Sequence, residues 1–243
     1  RPAALLPGTV RVISARMNYM GDARAAEEVL GDRSRAFISR YALGRDYHKV
    51  LGKHLRTLRG FLDTAEPGSE TRVMVDWGPL AEKAFGVRAG LGWYGKNSNL
   101  LVPGGGSWLF LADLVTTVAL EPDQPLRKTC GNCTRCLPVC PTNAFVSPYV
   151  VDANRCISYL TIEHRGPIDR ELRPLMGDWV FGCDLCQDAC PVNKRSRVRG
   201  WSEFRAQAVD DAVPALIPLL SLTEEQFRER FAGRPILRAK RAG

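Results

Sequence analysis

Apolar and polar positions follow two rhythms along the first 120 residues. Over residues 9–15, Val10, Val12 and Ser14 alternate with Arg11 and Ile13, the period-two pattern of a strand entering a sheet. From Asp46 the rhythm changes: Tyr47, Leu51, Leu55, Leu58 and Leu62 recur at helical spacing with Lys49, Lys53, Arg56 and Arg59 between them. This predicts an amphipathic helix that ends before Pro67 and Gly68. A short strand over 72–75 follows, with Asp76 at its end, and then a helix over 79–88 that starts on Pro79, buries Leu80, Ala84 and Val87, and stops at Gly90. Apolar runs over 99–102 and 107–117 read as strands, the second carrying one charge, Asp113. Asp22 caps a short helix through residue 30. Strands mixed with helices predict an α/β (α+β) domain over residues 1–120, and Pro122 and Pro125 mark a linker over 121–128.

All eight cysteines lie between residues 130 and 190. Cys130, Cys133, Cys136 and Cys140, with Pro141, spell C-x2-C-x2-C-x3-C-P, the run that wraps thiolates round a 4Fe-4S cluster in bacterial ferredoxins. Cys183, Cys186 and Cys190, with Pro191, repeat its last three positions, but Val180 stands where the first would be. Cys156 is the one thiol left to complete that set. In two-cluster ferredoxins the fourth cysteine of each run serves the other cluster, which assigns Cys130, Cys133, Cys136 and Cys190 to one cubane and Cys140, Cys156, Cys183 and Cys186 to the second. Zinc prefers two separated pairs, and disulfides need an oxidising compartment, so both fit the spacing less well. A two-cluster ferredoxin-like domain over 121–195 is expected. A helical C-terminal segment over 196–243, with helices at 201–209 and 223–231, follows it as a short appendage.

The formal charge of +8 favours a polyanionic partner, although a solvated basic face gives the same count. Lys194, Arg195, Arg197 and Arg199 follow directly on the last cysteine, where they could grip a phosphate backbone. No apolar run reaches the roughly 20 residues that span a bilayer, so a soluble protein is expected. The chain opens on Arg1 in mid-pattern, as a piece of a longer protein would, and a removed targeting segment stays open.

Chemistry outside the cysteines is sparser. Asp76, at a strand end before a helix, suits either a cap or a catalytic acid at the mouth of a sheet. Residues 90–97 (GLGWYGKN) fit the phosphate-loop spacing, but Asn97 replaces the magnesium-binding Ser or Thr and the strand–loop–helix context is missing. Its glycines still allow backbone to approach a large ligand, with Lys96 and Asn97 as donors. His48 and His54 read as surface or packing residues. Residues 157–165 are a return loop or helix between ligands, placed to face whatever docks on the clusters.

The stretches VDWGPL (75–80), AGLGWYGKN (89–97), RCISYLTIE (155–163), LMGDWVFGCD (175–184) and RYALGRDYHK (40–49) resemble those of epoxyqueuosine reductases, over residues 1 to about 193. The resemblance implies a cobalamin-binding domain akin to that of reductive dehalogenases joined to the two-cluster domain. It implies reduction of epoxyqueuosine to queuosine in a tRNA anticodon loop, with Asp76 as proton donor held protonated by a raised pKa. Asp76, Ser158, Glu163, Lys96 and Asn97 are the expected corrin contacts, the lack of a cobalamin-ligand histidine motif predicts a corrin whose lower face takes no protein ligand, and Lys194, Arg195 and Arg197 gain a role in holding tRNA. A cytoplasmic monomer fed by an external low-potential electron donor, with no membrane association, is the corresponding expectation. A reductive dehalogenase, a ferredoxin-type carrier and a nucleic-acid-binding protein with structural clusters are the alternatives.

Overall fold

The computed structural model describes residues 2–21, 32–76, 78–196 and 200–241. The expected helix at 22–30 and the side chains of Arg197 and Arg199 lie outside them. The strands are β1 (Arg11–Asn18), β2 (Phe37–Ile38), β3 (Thr71–Met74), β4 (Trp93–Tyr94), β5 (Leu100–Leu101), β6 (Leu109–Thr116), β7 (Phe145–Ser147), β8 (Val150–Val151) and β9 (Trp179–Phe181).

Three of these form the central antiparallel sheet in the order β1-β6-β3, with Arg11 opposite Thr116 and Met74 opposite Asp113. Helix α1 (Tyr47–Ala65) covers one face. Its apolar stripe, Tyr47, Val50, Leu51, Leu55 and Leu62, packs against Phe110, Ala112 and Leu114, alternate residues of β6. Asp46 caps it by accepting the His48 N–H at 3.0 Å. Helix α2 (Glu82–Arg88) lies against the opposite face, where Gly86 sits within van der Waals reach of Leu111. It begins three residues later than Pro79 predicts, because Ala81 leaves helical geometry (φ −84°, ψ 74°) and takes the cap position. Leu80, Ala84 and Val87 are half-buried.

The cysteine segment is stitched to this sheet domain. Strands β2 and β9 pair in parallel, and the buried Asp184 accepts hydrogen bonds from the Ser39 hydroxyl (2.6 Å) and the Arg40 amide (2.9 Å). Residues 157–165 contribute α3 (Ile157–Ile162), whose Ile162 joins Ile38, Ala42, Phe181, Phe227 and Phe231 in a second core. The C-terminal stretch therefore packs into the body of the protein. A regular helix over 201–209 does not form. Trp201 and Arg205 are extended, only Ser202–Phe204 makes a 3-10 turn, and Phe204 inserts into the first core. Gly44 admits this close approach, since a Cβ there would lie 2.4 Å from the Phe204 Cα. The helix predicted near 223–231 does form, over Glu224–Arg230, with Thr223 and Gln226 exchanging capping bonds.

Candidate active site

Asp76 leaves β3 with φ +46°, in the left-handed region that a non-glycine residue seldom occupies. The following helix takes Ala81 as its cap, with no side-chain bond, so Asp76 is not a helix cap. The carboxyl enters a cavity of about 370 Å3, lined also by Tyr41, Asp46, Tyr47, His48, Ser158, Glu163 and Arg238. Two elements distant in sequence thus meet here: the start of α1, and α3, which follows Cys156.

The first turn of α1 equips the site. The Tyr47 hydroxyl donates a hydrogen bond to Asp76 Oδ2. Its ring is fixed by stacking on Phe110 (4.4 Å between centroids, 6° between planes) and on His48 (4.1 Å). Burial, and then the bond to Asp76, raise the Tyr47 phenol well above its ordinary value, so it stays protonated and donates. His48 Nδ1 lies 2.8 Å from Asp46 Oδ1, and Nε2 lies 3.8 Å from Asp76 Oδ2. The Asp46 hydrogen bond raises the His48 pKa against a desolvation that lowers it. His48 is therefore part of the cavity wall rather than surface or packing. His54 does pack, edge-on to Trp201 at 5.0 Å.

Behind the Asp76 turn, Glu82 Oε1 accepts the Asp76 amide N–H at 2.6 Å. Burial pushes the Glu82 carboxyl up to about 7. Asp113, on the adjoining face of β6, is 1% exposed. Its Oδ1 accepts the Ser14 hydroxyl at 2.6 Å, its Oδ2 has no partner, and burial pushes it up to about 6. Across the cavity, Glu163 pairs with Arg238 at 2.8 Å.

Lys96 and Asn97 do not line this cavity. Lys96 Nζ donates to the Gly131 carbonyl (2.8 Å) and Asn97 Nδ2 to the Cys186 carbonyl (3.3 Å), so both fasten the 90–97 loop to the cysteine segment. The loop's glycines serve that folding as well. A Cβ on Gly92 would sit 2.1 Å from the Leu101 carbonyl oxygen, so the missing side chain permits the close approach of β4 and β5.

The eight cysteines are free thiols that influence one another, mostly within two sets of four, although Cys136 also acts on Cys186. Burial raises the Cys136 thiol, and Cys190, Cys130 and Cys133 add to the effect. Burial likewise pushes Cys183 up to about 12, with Asp184, Cys156 and Cys140 contributing. No group of three or more His, Cys, Asp or Glu that could hold a metal ion occurs among the described residues. Eight thiols are the number that two cubanes would take, one for each iron. Trp93 packs against Cys190 and Cys130, and its buried indole N–H has no partner in the protein. A cluster held by the neighbouring cysteines would offer it a sulfur acceptor.

A second cavity, of about 1190 Å3, is lined by Arg40, Trp108, Met176, Trp179, Asp184 and Lys194 among others. It exceeds the roughly 300–1,000 Å3 of ordinary small-molecule sites. It carries none of the acid–base groups gathered at Asp76. Lys194 and Arg195 are exposed. No helix among the described residues is long and apolar enough to cross a membrane.

Comparison with known proteins gives two family matches. Residues 1–76 match the family model described as epoxyqueuosine reductase QueG, DUF1730, and residues 129–193 match the 4Fe-4S double cluster binding domain. The chain is 48% identical to the epoxyqueuosine reductase of Pseudomonas aeruginosa, covering 98% of this chain and 66% of that one. It is 42% identical to that of Synechocystis, covering 98% and 81%. Solved epoxyqueuosine reductases superpose closely. A selenomethionine-labelled one gives a TM-score of 0.90 at 35% identity (99% of this chain, 64% of that one). One holding an epoxyqueuosine-modified tRNA-Tyr stem loop gives 0.87 at 35% (98% and 65%). A Bacillus subtilis enzyme with its catalytic aspartate loop swung out of the active site gives 0.86 at 34% (98% and 65%). The chain spans about two thirds of the length of most of these relatives.

Proposed function

This chain belongs to the epoxyqueuosine reductase family, and we propose that it carries the catalytic part of a reductase that converts epoxyqueuosine in tRNA to queuosine. Removing an epoxide oxygen as water takes two electrons and two protons. Cobalamin and two 4Fe-4S clusters, when bound, supply the electrons.

The observation that carries this reading is the Asp76 carboxyl, set in a cavity between the sheet domain and α3 and hydrogen-bonded by a buried tyrosine. An opening epoxide oxygen needs a proton at one defined point, and the Asp76 carboxyl would give it. Tyr47 orients that carboxyl, and His48, poised toward its imidazolium form by Asp46, is near enough to restore the proton. Ser158 and Glu163, on the opposite wall, offer a hydroxyl and a carboxylate to the amide side chains of a corrin. Arg238 balances the Glu163 charge there.

A whole corrin needs more room than 370 Å3, so Ser158 and Glu163 would meet only one edge of it. The eight cysteines would hold the two clusters in the crossed sets that the ferredoxin-like spacing favours. Lys194 and Arg195, exposed beside the cluster segment, suit the phosphates of an anticodon loop. Cytoplasmic location, a monomeric state and an external low-potential donor complete the reading.

The test is Asp76→Asn. It removes the proton but keeps the shape, so the protein should hold its clusters and cobalamin as the parent does while losing at least about 100-fold in turnover. Undiminished turnover would refute the assignment.

A further inference from the structure

Two hydrogen bonds hold the Asp76 turn among the described residues, one on its side chain and one on its backbone. The side-chain bond comes from Tyr47 and needs the turn already in place. The backbone bond runs from the Asp76 amide to a carboxylate, Glu82 Oε1, at 2.6 Å. One residue of the turn, Asp76, holds an uncommon conformation. Asp76 has φ +46° and Gly78 φ +87°, so a non-glycine residue is kept in the left-handed region. Such a conformation persists only where its surroundings enforce it, and an amide bonded to a negatively charged acceptor is a strong restraint.

We propose that Glu82 is the positioning residue of the reaction, a latch that accepts the Asp76 amide and keeps the acid turned into the cavity. Glu82 touches no reacting atom; it acts through Asp76. This rests on the reading of Asp76 as the proton donor.

Its surroundings make the latch adjustable. Glu82 faces Asp113 on β6, Asp76 in the turn and His48 on α1, and Lys83 is its neighbour on α2. The two carboxylates disfavour its ionised form, while His48 and the Asp76 amide favour it. Because the amide bond prefers the ionised form, the latch strengthens as pH rises through the Glu82 titration and loosens as pH falls. Lys83 is held apart, donating to the Ser98 carbonyl at 2.9 Å.

The experiment uses the full chain loaded with clusters and cobalamin. Hydrogen–deuterium exchange over residues 71–81 is measured between pH 6 and 8, corrected for intrinsic rates, alongside turnover of epoxyqueuosine-containing tRNA. Parent protein should exchange faster at the low end. Glu82→Ala should raise exchange in the turn about tenfold, the effect of losing one charge-assisted hydrogen bond, and lower kcat by a similar factor with KM little changed. Glu82→Gln keeps a carbonyl acceptor in the same place, so it should restore most of the protection and remove its pH dependence. That comparison stands even if the alanine variant folds poorly. Exchange in Glu82→Ala within twofold of the parent, or an unchanged pH dependence in Glu82→Gln that would belong to His48, overturns the latch. Faster exchange with turnover intact would instead count against Asp76 as the acid.

Discussion

Tyr47→Phe isolates one hydroxyl. The ring is 9% exposed and stacked between Phe110 and His48, and phenylalanine fills the same volume in the same stack, so the helix and the first core should be retained. What is lost is the donor to Asp76 Oδ2. A hydrogen bond to a charged group contributes about 1.5–3 kcal/mol, which corresponds to roughly 10–100-fold if it is fully used in the transition state. The Asp76 side chain is 53% exposed, so water partly replaces the lost donor and the lower end of that range is expected. Stability should change by less than about 1 kcal/mol, because the hydroxyl is exchanged for water and no cavity opens. The assay is single-turnover conversion of epoxyqueuosine in tRNA, with a thermal melt of the same preparation. A roughly tenfold slower rate with an unshifted melt fits the account. A rate within twofold of the parent would show that Tyr47 packs α1 and does nothing for Asp76.

Asp113→Asn should stabilise the fold at pH 8. Its pKa is raised in the folded state from 3.8 to about 6, so the ionised form is disfavoured there. The sign follows: stability is full below pH 4 and is lost as pH rises through about 6, by up to roughly 3 kcal/mol. Asparagine keeps an acceptor for Ser14, so the gain should shrink toward zero in melts at pH 4. Trp93→Phe should keep the packing on Cys130 and Cys190 but remove the buried N–H. The midpoint potential of one cluster should fall by roughly tens of millivolts, read by EPR-monitored titration, since hydrogen bonds to sulfur raise cluster potentials. Replacing Lys194 and Arg195 by alanine should weaken tRNA binding and reduce its salt slope by about 1–2; unchanged binding would return both to plain surface.

What could be read in the sequence was what local rules control. The apolar stripe from Tyr47 to Leu62 fixed α1, and the alternation near Val12 announced β1, shifted in the structure to Arg11–Asn18. Cysteine spacing exposed the cluster segment because ligand geometry is short-range. Asp76 was visible through motif resemblance, whereas its partners were not. Tyr47 and His48 sit on a helix whose period accounts for Tyr47 as core, and nothing in that period says that its hydroxyl emerges at Asp76. Arg238 reaches Glu163 only through tertiary folding. Strands β2 and β9 are too short for a period to register. The expected helix at 201–209 failed because burial of Phe204 outweighed local propensity. Lys96 and Asn97 looked like ligand donors because free donors in a glycine-rich loop have the same sequence signature as donors that fasten one loop to another.

The most direct test of the central claim is anaerobic reconstitution with iron, sulfide and cobalamin, followed by metal analysis, EPR and incubation with epoxyqueuosine-containing tRNA and a low-potential reductant. The account predicts about eight irons and one cobalt per chain, as two cubanes and a corrin require, and conversion of the modified base to queuosine. Clusters that assemble without cobalamin binding or conversion would contradict it, and would make this chain an electron carrier.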